Sequence, residues 1–236
     1  MTDRTYLQTP EQWTRFLSAF VHELRTPVAS LRMLADLLAE APKGHLGDQE
    51  KRYAENIRQV VQDIQSLVGE TADLGRLLAG RVQRRSDKVA LEQLVDAAQE
   101  AVRPQAWERG IALTSSLDPA LSLGFHTDPG RLRQTLILLL GTAVSRARSE
   151  VFFRLDFKEG DLGVVISSDG PPFEEAALLT FFEPFDDGAH VGRPRGGRSL
   201  ALPLANELTR ALGGTLCASN RGGRPTLDLS LPAGVP

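Results

Sequence analysis

Residues 16–34 read FLSAFVHELRTPVASLRML and combine a histidine, a glutamate and a Thr-Pro pair in one amphipathic segment. Apolar residues recur in and around it at alternating spacings of three and four, which is typical of a helix with a heptad-like apolar seam. The seam comprises Leu17, Phe20, Leu24, Pro27, Leu31, Leu34 and Leu38. We therefore predict a long helix that carries Pro27 in its interior, close to the histidine.

The segment APKGHLGD, residues 41–48, interrupts this pattern, and a second helix is predicted from a cap at Asp48 to Gly80. Its seam comprises Tyr53, Ile57, Val60, Ile64, Leu67, Leu74 and Leu78. Two helices cannot bury both seams alone, because each seam needs an apolar partner surface. Pairing with a second copy would complete a four-helix bundle, so we expect residues 1–80 to form the helical hairpin of a homodimer.

Helix-like and strand-like segments alternate after a basic linker at residues 81–87. Helices are expected in VALEQLVDAAQEAVRPQAWERG, DPGRLRQTLILLLGTAVSRA and SLALPLANELTRALGG, and strands in IALTSSL, LSLGF, EVFFRLDF, LGVVISS, TLCAS and TLDLSL. Because strands and helices interleave, residues 88–236 are predicted to form a compact α/β sandwich. The chain as a whole then has an α+β fold class.

The composition narrows the function classes. A formal net charge of −3 and a charged fraction of 24% do not indicate a nucleic-acid binder. No apolar run approaches the roughly 18 residues that cross a bilayer, and the first residues are too polar for a signal peptide. The one cysteine, Cys217, excludes an internal disulfide framework and favours a reducing compartment. We expect a cytoplasmic chain without membrane or nucleic-acid partners, with Cys217 packed in the core.

His22 and the apolar seam lie on opposite sides of the first predicted helix. At about 100° per residue, His22 lies roughly 200° from Phe20, on the side that carries the small residues Thr26 and Ala29. Pro27 removes the hydrogen bond to the carbonyl of Glu23 and should bend the helix one turn past the histidine. A surface histidine in a kinked helix and a reactive histidine presented to a partner both agree with this placement.

The segment FVHELRTPVASL resembles the phosphoacceptor box of the two-component sensor histidine kinases, which reads His-Glu-x-x-Thr-Pro. The resemblance covers nearly the whole chain. It implies a dimeric helical bundle followed by an α/β ATP-binding domain, and it implies that His22 carries a phosphoryl group on a ring nitrogen. A neutral imidazole is a competent nucleophile near neutral pH. Glu23 can hold the other ring N–H and act as base, and Thr26 could orient water for dephosphorylation of a partner. A solvated glutamate and a threonine that merely precedes proline are the alternatives.

The second half is similar to the ATP-binding domain of that family, with several motif residues replaced. In DPGRLRQTLILLLGTAVSRA, Leu138 and Thr142 stand where the family has asparagines, the second of which holds Mg²⁺. In VVISSDGPPF, Gly170 matches the first glycine of the family's Asp-x-Gly-x-Gly-Ile, but Ser168 replaces the aspartate that reads adenine. Asp169 would fit that role only after a slip of one residue.

Two further motifs follow. The second glycine of the adenine motif is replaced by Pro172, whereas FFEPF, residues 181–185, matches the family's phenylalanine box. In the phosphate-binding Gly-x-Gly-Leu-Gly-Leu, Gly197 is kept while Ser199 and Ala201 replace glycines. Together the replacements predict a retained fold with ATP handling weakened or lost. An active but divergent kinase is the alternative.

An intact His22 box beside altered ATP motifs predicts a phosphorelay intermediate. The aspartyl phosphate of one response-regulator receiver domain would pass to His22 and then to a second receiver, as in kinase-like histidine phosphotransferases. Such transfer needs no metal of its own and no cofactor except Mg²⁺ bound by the receiver; ATP and Mg²⁺ enter only if the chain is a kinase. Three loop arginines, Arg193, Arg195 and Arg198, are candidates for receiver docking. An ATP-dependent kinase, a response-regulator phosphatase and a non-catalytic scaffold remain as alternatives.

Overall fold

A computed structural model describes residues 10–39, 47–78, 86–119, 125–158, 160–176, 178, 181–182 and 200–232. In chain order, its elements are α1 (Pro10–Ala39), α2 (Asp48–Leu78), β1 (Asp87–Val89), α3 (Leu91–Glu108), β2 (Ala112–Leu117), β3 (Phe125–Thr127), α4 (Pro129–Arg146), β4 (Glu150–Lys158), β5 (Asp161–Ser168), α5 (Ala201–Ala211), β6 (Thr215–Arg221) and β7 (Arg224–Leu231). Among these described helices, none combines the length and hydropathy of a membrane span.

The first two helices, α1 and α2, pack against each other as the predicted hairpin. The first helix continues through Pro27, and the predicted seam residue Leu34 is buried. Leu17 was predicted in the buried seam, but it is 52% exposed, because one chain supplies only two helices. The predicted cap is also displaced by one residue, since the N–H of Lys51 donates to the carbonyl of Gly47 and Asp48 is already helical.

The remaining elements form a sheet unit, β1 to β7 with α3 to α5. Its main sheet has the strand order β2-β4-β5-β7-β6, with β2 parallel to β4 and the other neighbours antiparallel. Strands β1 and β3 form a separate antiparallel pair. The helices pack side by side, α3 on α4 and α4 on α5, and share one apolar core with the main sheet. The predicted α+β class is confirmed.

Strand alternation decides which side chains enter that core. On β5, Leu162, Val164 and Ile166 are buried toward the helices, as the period of two requires. On the edge strand β6, Leu216 takes the buried side. Cys217 therefore points to the opposite face and is exposed, so the prediction of a packed core thiol is wrong.

Two short segments differ from the predicted elements. Residues 87–89 were assigned to the linker and the start of a helix, but they form β1, because Lys88 pairs with His126 of β3. Only Phe125 of the predicted strand LSLGF lies in β3, and residues 121–124 lie outside the described part. These pairs join residues nearly 40 positions apart, which local periodicity does not reveal.

A second apolar cluster joins the hairpin to the sheet unit. Phe16 of α1 and Leu74 of α2 are buried against Leu204 and Leu208 of α5 and Leu200 just before it. Beside this cluster, Nε2 of Gln134 in α4 donates to Oδ2 of Asp73 in α2 over 2.7 Å. Apolar burial and a charge-assisted hydrogen bond thus hold the two parts together.

We predict that Gly170→Ala destabilises the chain by about 2 kcal/mol, because overpacking of a tight contact costs that order of energy. A Cβ at residue 170 would lie 2.3 Å from the carbonyl oxygen of Arg146. Denaturant unfolding measures the change. The control is Gly141→Ala in α4, where the nearest atom would be Oε1 of Gln105 at 3.7 Å. Alanine there should stabilise the helix by roughly 0.5–1 kcal/mol, and equal effects of the two substitutions would contradict the packing argument.

Candidate functional site

The predicted phosphoacceptor residues lie in the middle of α1. His22 and Glu23 belong to this helix, and their side chains lie outside the described part of the chain. Thr26 is described and exposed, as the helical projection predicted. On the preceding turns, Phe16 is buried and Phe20 half-buried in the cluster that joins α1 to α5. The phosphoacceptor segment therefore follows directly on the contact with the sheet unit.

The predicted adenine-reading segment begins at the end of β5 and is held by its own hydrogen bonds. Ser168 is 2% exposed, and its Oγ accepts from the N–H of Gly170 over 3.4 Å. Gly170 packs against the carbonyl of Arg146, which leaves no room for a side chain. Ser168 and Gly170 thus lie together at the last turn of α4, where the sequence placed a nucleotide site.

The predicted site residue Asp169 is bound by hydrogen-bond donors at the start of β4. Its carboxylate accepts hydrogen bonds of 2.9–3.1 Å from the backbone N–H groups of Arg148, Ser149 and Glu150, and one of 2.5 Å from Oγ of Ser149. Burial alone would raise the pKa of Asp169, but these hydrogen bonds outweigh it and hold the pKa well below its ordinary range. These bonds fix the segment after β5 to the start of β4.

Sequence reasoning missed two residues at this site, Arg146 and Phe173. The guanidinium of Arg146 lies 4.9 Å from the ring centroid of Phe173, and its Nη2 donates to the carbonyl of Pro171 over 3.4 Å. Arg146 is 9% and Phe173 is 6% exposed. An arginine at the end of a strongly apolar helix was the signal available in the sequence.

Phe173 is fixed from two further directions. Its ring meets the edge of Phe181 at a centroid distance of 4.4 Å, and Phe181 in turn contacts Phe182 at 5.4 Å. The side chain of Asn220, in β6, accepts from the N–H of Phe173 and donates to its carbonyl, both over 2.8 Å. Ring contacts and two hydrogen bonds thus hold Phe173 in place.

On α4, the predicted nucleotide-site residue Thr142 is hydrogen-bonded within the helix. Oγ1 of Thr142 donates to the carbonyl of Leu138 over 2.8 Å. Leu138 is half-buried and packs against both apolar clusters. Neither side chain offers the amide oxygen expected of a Mg²⁺ ligand. Within the described residues, no group of three or more His, Cys, Asp or Glu side chains is arranged to hold a metal ion.

The remaining predicted site residues lie outside the described part. These are Gly197 and Ser199, the arginines 193, 195 and 198, and residues 183–185 of the phenylalanine box. Phe181 and Phe182 are described, and Phe181 is buried. The helix after the predicted phosphate loop, α5, starts at Ala201 with Leu200 as its N-cap and no side-chain capping bond.

Two family models match the chain. The model of the His Kinase A (phospho-acceptor) domain matches residues 12–80, which contain α1 and α2 almost entirely. The model of the histidine kinase-, DNA gyrase B-, and HSP90-like ATPases matches residues 127–234, which contain α4, α5 and four strands of the main sheet.

Individual histidine kinases are also similar to the chain, in sequence or in fold. Over 218 residues the chain is 27% identical to the peroxide stress-activated histidine kinase mak1 of Schizosaccharomyces pombe, covering 88% of this chain and 13% of mak1. A structure of histidine kinase ThkA in complex with the response regulator protein TrrA has a TM-score of 0.75 and 17% identity, covering 99% of this chain and 68% of that one. A structure of full-length ShkA in complex with AMPPNP has a TM-score of 0.66 and 23% identity, covering 97% of this chain and 47% of that one. The chain spans well under half the length of the curated relatives it matches.

We predict that Asp169→Asn lowers stability at pH 7 by about 1–3 kcal/mol, because the amide loses charge-assisted hydrogen bonds. The folded-state pKa of Asp169 is lowered, so its contribution is fully present above the ordinary pKa of about 3.9 and is lost as the pH falls through the folded-state value. Denaturant unfolding at pH 7, 5 and 3 should show that the difference in the free energy of unfolding between the variant and wild type narrows only below about pH 4. The control is Asp96→Asn on the exposed side of α3. An equal difference in stability between Asp169→Asn and wild type at all three pH values would contradict the argument.

Proposed function

Because the chain belongs to the two-component histidine kinase family, we propose that it is phosphorylated on His22 and exchanges the phosphoryl group with receiver aspartates of response regulators. One observation carries this proposal: the box His-Glu-x-x-Thr-Pro is intact in α1, inside the segment that matches the family's phospho-acceptor domain. Phosphoryl relay to response regulators is general to this family. Relay by this chain requires that His22 accept the phosphoryl group.

The proposed step is a reversible transfer between two side chains. A ring nitrogen of neutral His22 attacks the phosphorus of a receiver aspartyl phosphate; the N–P bond forms as the bond to the aspartate oxygen breaks, and the carboxylate leaves. Glu23 accepts a hydrogen bond from the other ring N–H and stabilises the positive charge that develops on the imidazole. The reverse step returns the phosphoryl group to a second receiver. Mg²⁺ held by the receiver is the only cofactor this step uses.

We infer further that ATP binding by the sheet unit is weakened or lost. Three contacts support this: the Thr142 hydroxyl donates to its own helix, Leu138 turns an apolar side chain to the interior, and Arg146 covers the ring of Phe173. An adenine amine facing Ser168 would also meet no carboxylate, which costs about 1–3 kcal/mol in a buried site. The residues present therefore fit a magnesium-bound adenine nucleotide poorly.

An ATP-dependent kinase is the second candidate, and a specific observation favours it. The match to the histidine kinase-like ATPases spans residues 127–234, and one solved structure of similar fold, ShkA, was determined with AMPPNP. A phosphatase for a response regulator and a non-catalytic scaffold are further alternatives. Thr26 is exposed on α1, and loss of regulator dephosphorylation in Thr26→Ala, with transfer to His22 intact, would favour the phosphatase.

The proposed partners are response-regulator receivers and a second copy of the chain. In the ThkA structure, a histidine kinase is in complex with a response regulator protein, which supports the first partner. The match to the phospho-acceptor domain and the exposed apolar side chains of the hairpin support the second. Those side chains are Leu17, Val21, Val28, Met33, Leu37, Val61 and Val68, each 37–58% exposed in the single chain.

We expect no radioactive label on the purified chain after incubation with γ-labelled ATP and Mg²⁺. We expect label on wild type, but not on His22→Ala, after incubation with receiver domains labelled on aspartate by radioactive acetyl phosphate. Acid-labile label taken from ATP by wild type alone would establish the kinase and contradict the weakened ATP site. Absence of label from every receiver in a broad panel would contradict phosphotransfer.

The proposed homodimer is tested on α2, where Val61 and Val68 lie seven residues apart on one side. The double change to aspartate should convert a dimer into a monomer, because it buries two like charges per chain at the interface. Analytical ultracentrifugation at micromolar concentration measures this. The control, Asn56→Asp with Gln62→Asp, adds the same charge at exposed polar positions of α2. A wild-type chain that sediments as a monomer would contradict the proposal.

A further inference from the structure

The contact between the hairpin and the sheet unit is an apolar cluster whose central side chains are shielded from solvent. Phe16 and Leu74 on one side are 6% and 1% exposed. Leu200, Leu204 and Leu208 on the other side are 0%, 1% and 2% exposed. The three leucines recur every four residues, so they form one row along α5 and lie against the hairpin as a single surface.

Helix α4 adds two neighbouring side chains to this contact. Nε2 of Gln134 donates to Oδ2 of Asp73 across the two parts, over 2.7 Å and partly buried. One turn further along α4, Leu138 packs against the same cluster that holds Leu74. Residues four apart lie on the same side of a helix, so this side of α4 is turned to the hairpin.

By the resemblance of its segment to the family's ATP-binding motif, Leu138 stands at a position where an asparagine is expected. A single replacement therefore removes a polar group from the nucleotide motif and adds an apolar group to the contact with the hairpin. An asparagine at this place would have to bury an amide against Leu74 and its neighbours, which is unfavourable without a partner.

We propose that Gln134 and Leu138 are positioning residues that hold the sheet unit against the helical hairpin without a bound nucleotide. The docked arrangement is then set by apolar burial and by one hydrogen bond to a carboxylate, both of which exist in the chain alone. This goes beyond the proposed phosphotransfer and does not rest on the chemistry of His22.

The test exchanges the two ends of the hydrogen bond. Gln134→Glu brings two carboxylates together at 2.7 Å and removes the donor, so the units should separate. Asp73→Asn with Gln134→Glu restores the bond with donor and acceptor reversed, because each replacement keeps the shape of the side chain. Hydrogen exchange of the full chain, followed by mass spectrometry, reports the docking at amides of α5 and of residues 67–78. We expect exchange in both segments to rise about tenfold in Gln134→Glu and to return to the wild-type rate in the double variant.

Arg133→Gln is the matched control, since it makes the same change in net charge at an exposed position of α4. It should leave both segments as protected as in wild type. Unchanged exchange in Gln134→Glu, or failure of the double variant to recover protection, would overturn the role of Gln134. Recovery in the double variant also shows that residue 134 acts through its bond and not through general stability.

Leu138→Asn tests the second residue and the independence from nucleotide. It should raise exchange in α5 and in residues 67–78 while strands β4 and β5 stay protected. Wild-type exchange should not change on addition of Mg²⁺ and ATP. Added protection of α5 by Mg²⁺ and ATP in wild type would overturn nucleotide-independent docking. Labelling of His22 from a receiver is measured on the same samples, so failure of phosphotransfer is seen separately from failure of docking.

Discussion

The burial of α4 on several sides at once constrains the rest of the structure. Four of its leucines, Leu132, Leu136, Leu139 and Leu140, are at most 1% exposed. The helix packs against α3, α5 and the main sheet. On its remaining side, Gln134 and Leu138 contact the hairpin. Its last turn meets the segment after β5 through Arg146. A helix enclosed in this way cannot shift without disturbing the core, the contact with the hairpin and the segment after β5 together.

The elements with strong periodicity were predictable from the sequence. The heptad spacing indicated α1 and α2, and the apolar segment after Asp128 indicated α4, at whose start Oδ1 of Asp128 accepts from the N–H of Arg131. The missed features all depend on partners distant in the chain. Strand β1 exists through pairing with β3, and the exposure of Cys217 follows from which side of β6 meets the helices. Spacing carries no information about such partners.

The candidate site likewise has features that the sequence predicted and features that it did not. The phosphoacceptor box is a local motif, so its helix and the exposure of Thr26 followed from the sequence. The replaced motif residues were visible in the sequence, but the contacts of Phe173 with Arg146 and Asn220 were not. Arg146 and Phe173 are 27 positions apart, and Asn220 lies a further 47 residues along the chain. With Asp169 and Asn220 tying down both ends of residues 169–173, this segment keeps its conformation through bonds within the chain.

The pairing of β5 with β7 has a consequence for how the sequence between them can vary. Ile166 lies opposite Leu227, so this pair closes a chain loop of about 60 residues that contains α5. The entropy lost on closing a loop grows only with the logarithm of its length, and doubling the loop costs roughly 0.6 kcal/mol. The length of the chain between these two strands therefore weighs little on the stability of their pairing. Changes at the buried leucines of α4 and α5 weigh far more on stability, because each smaller side chain would leave a cavity in the core.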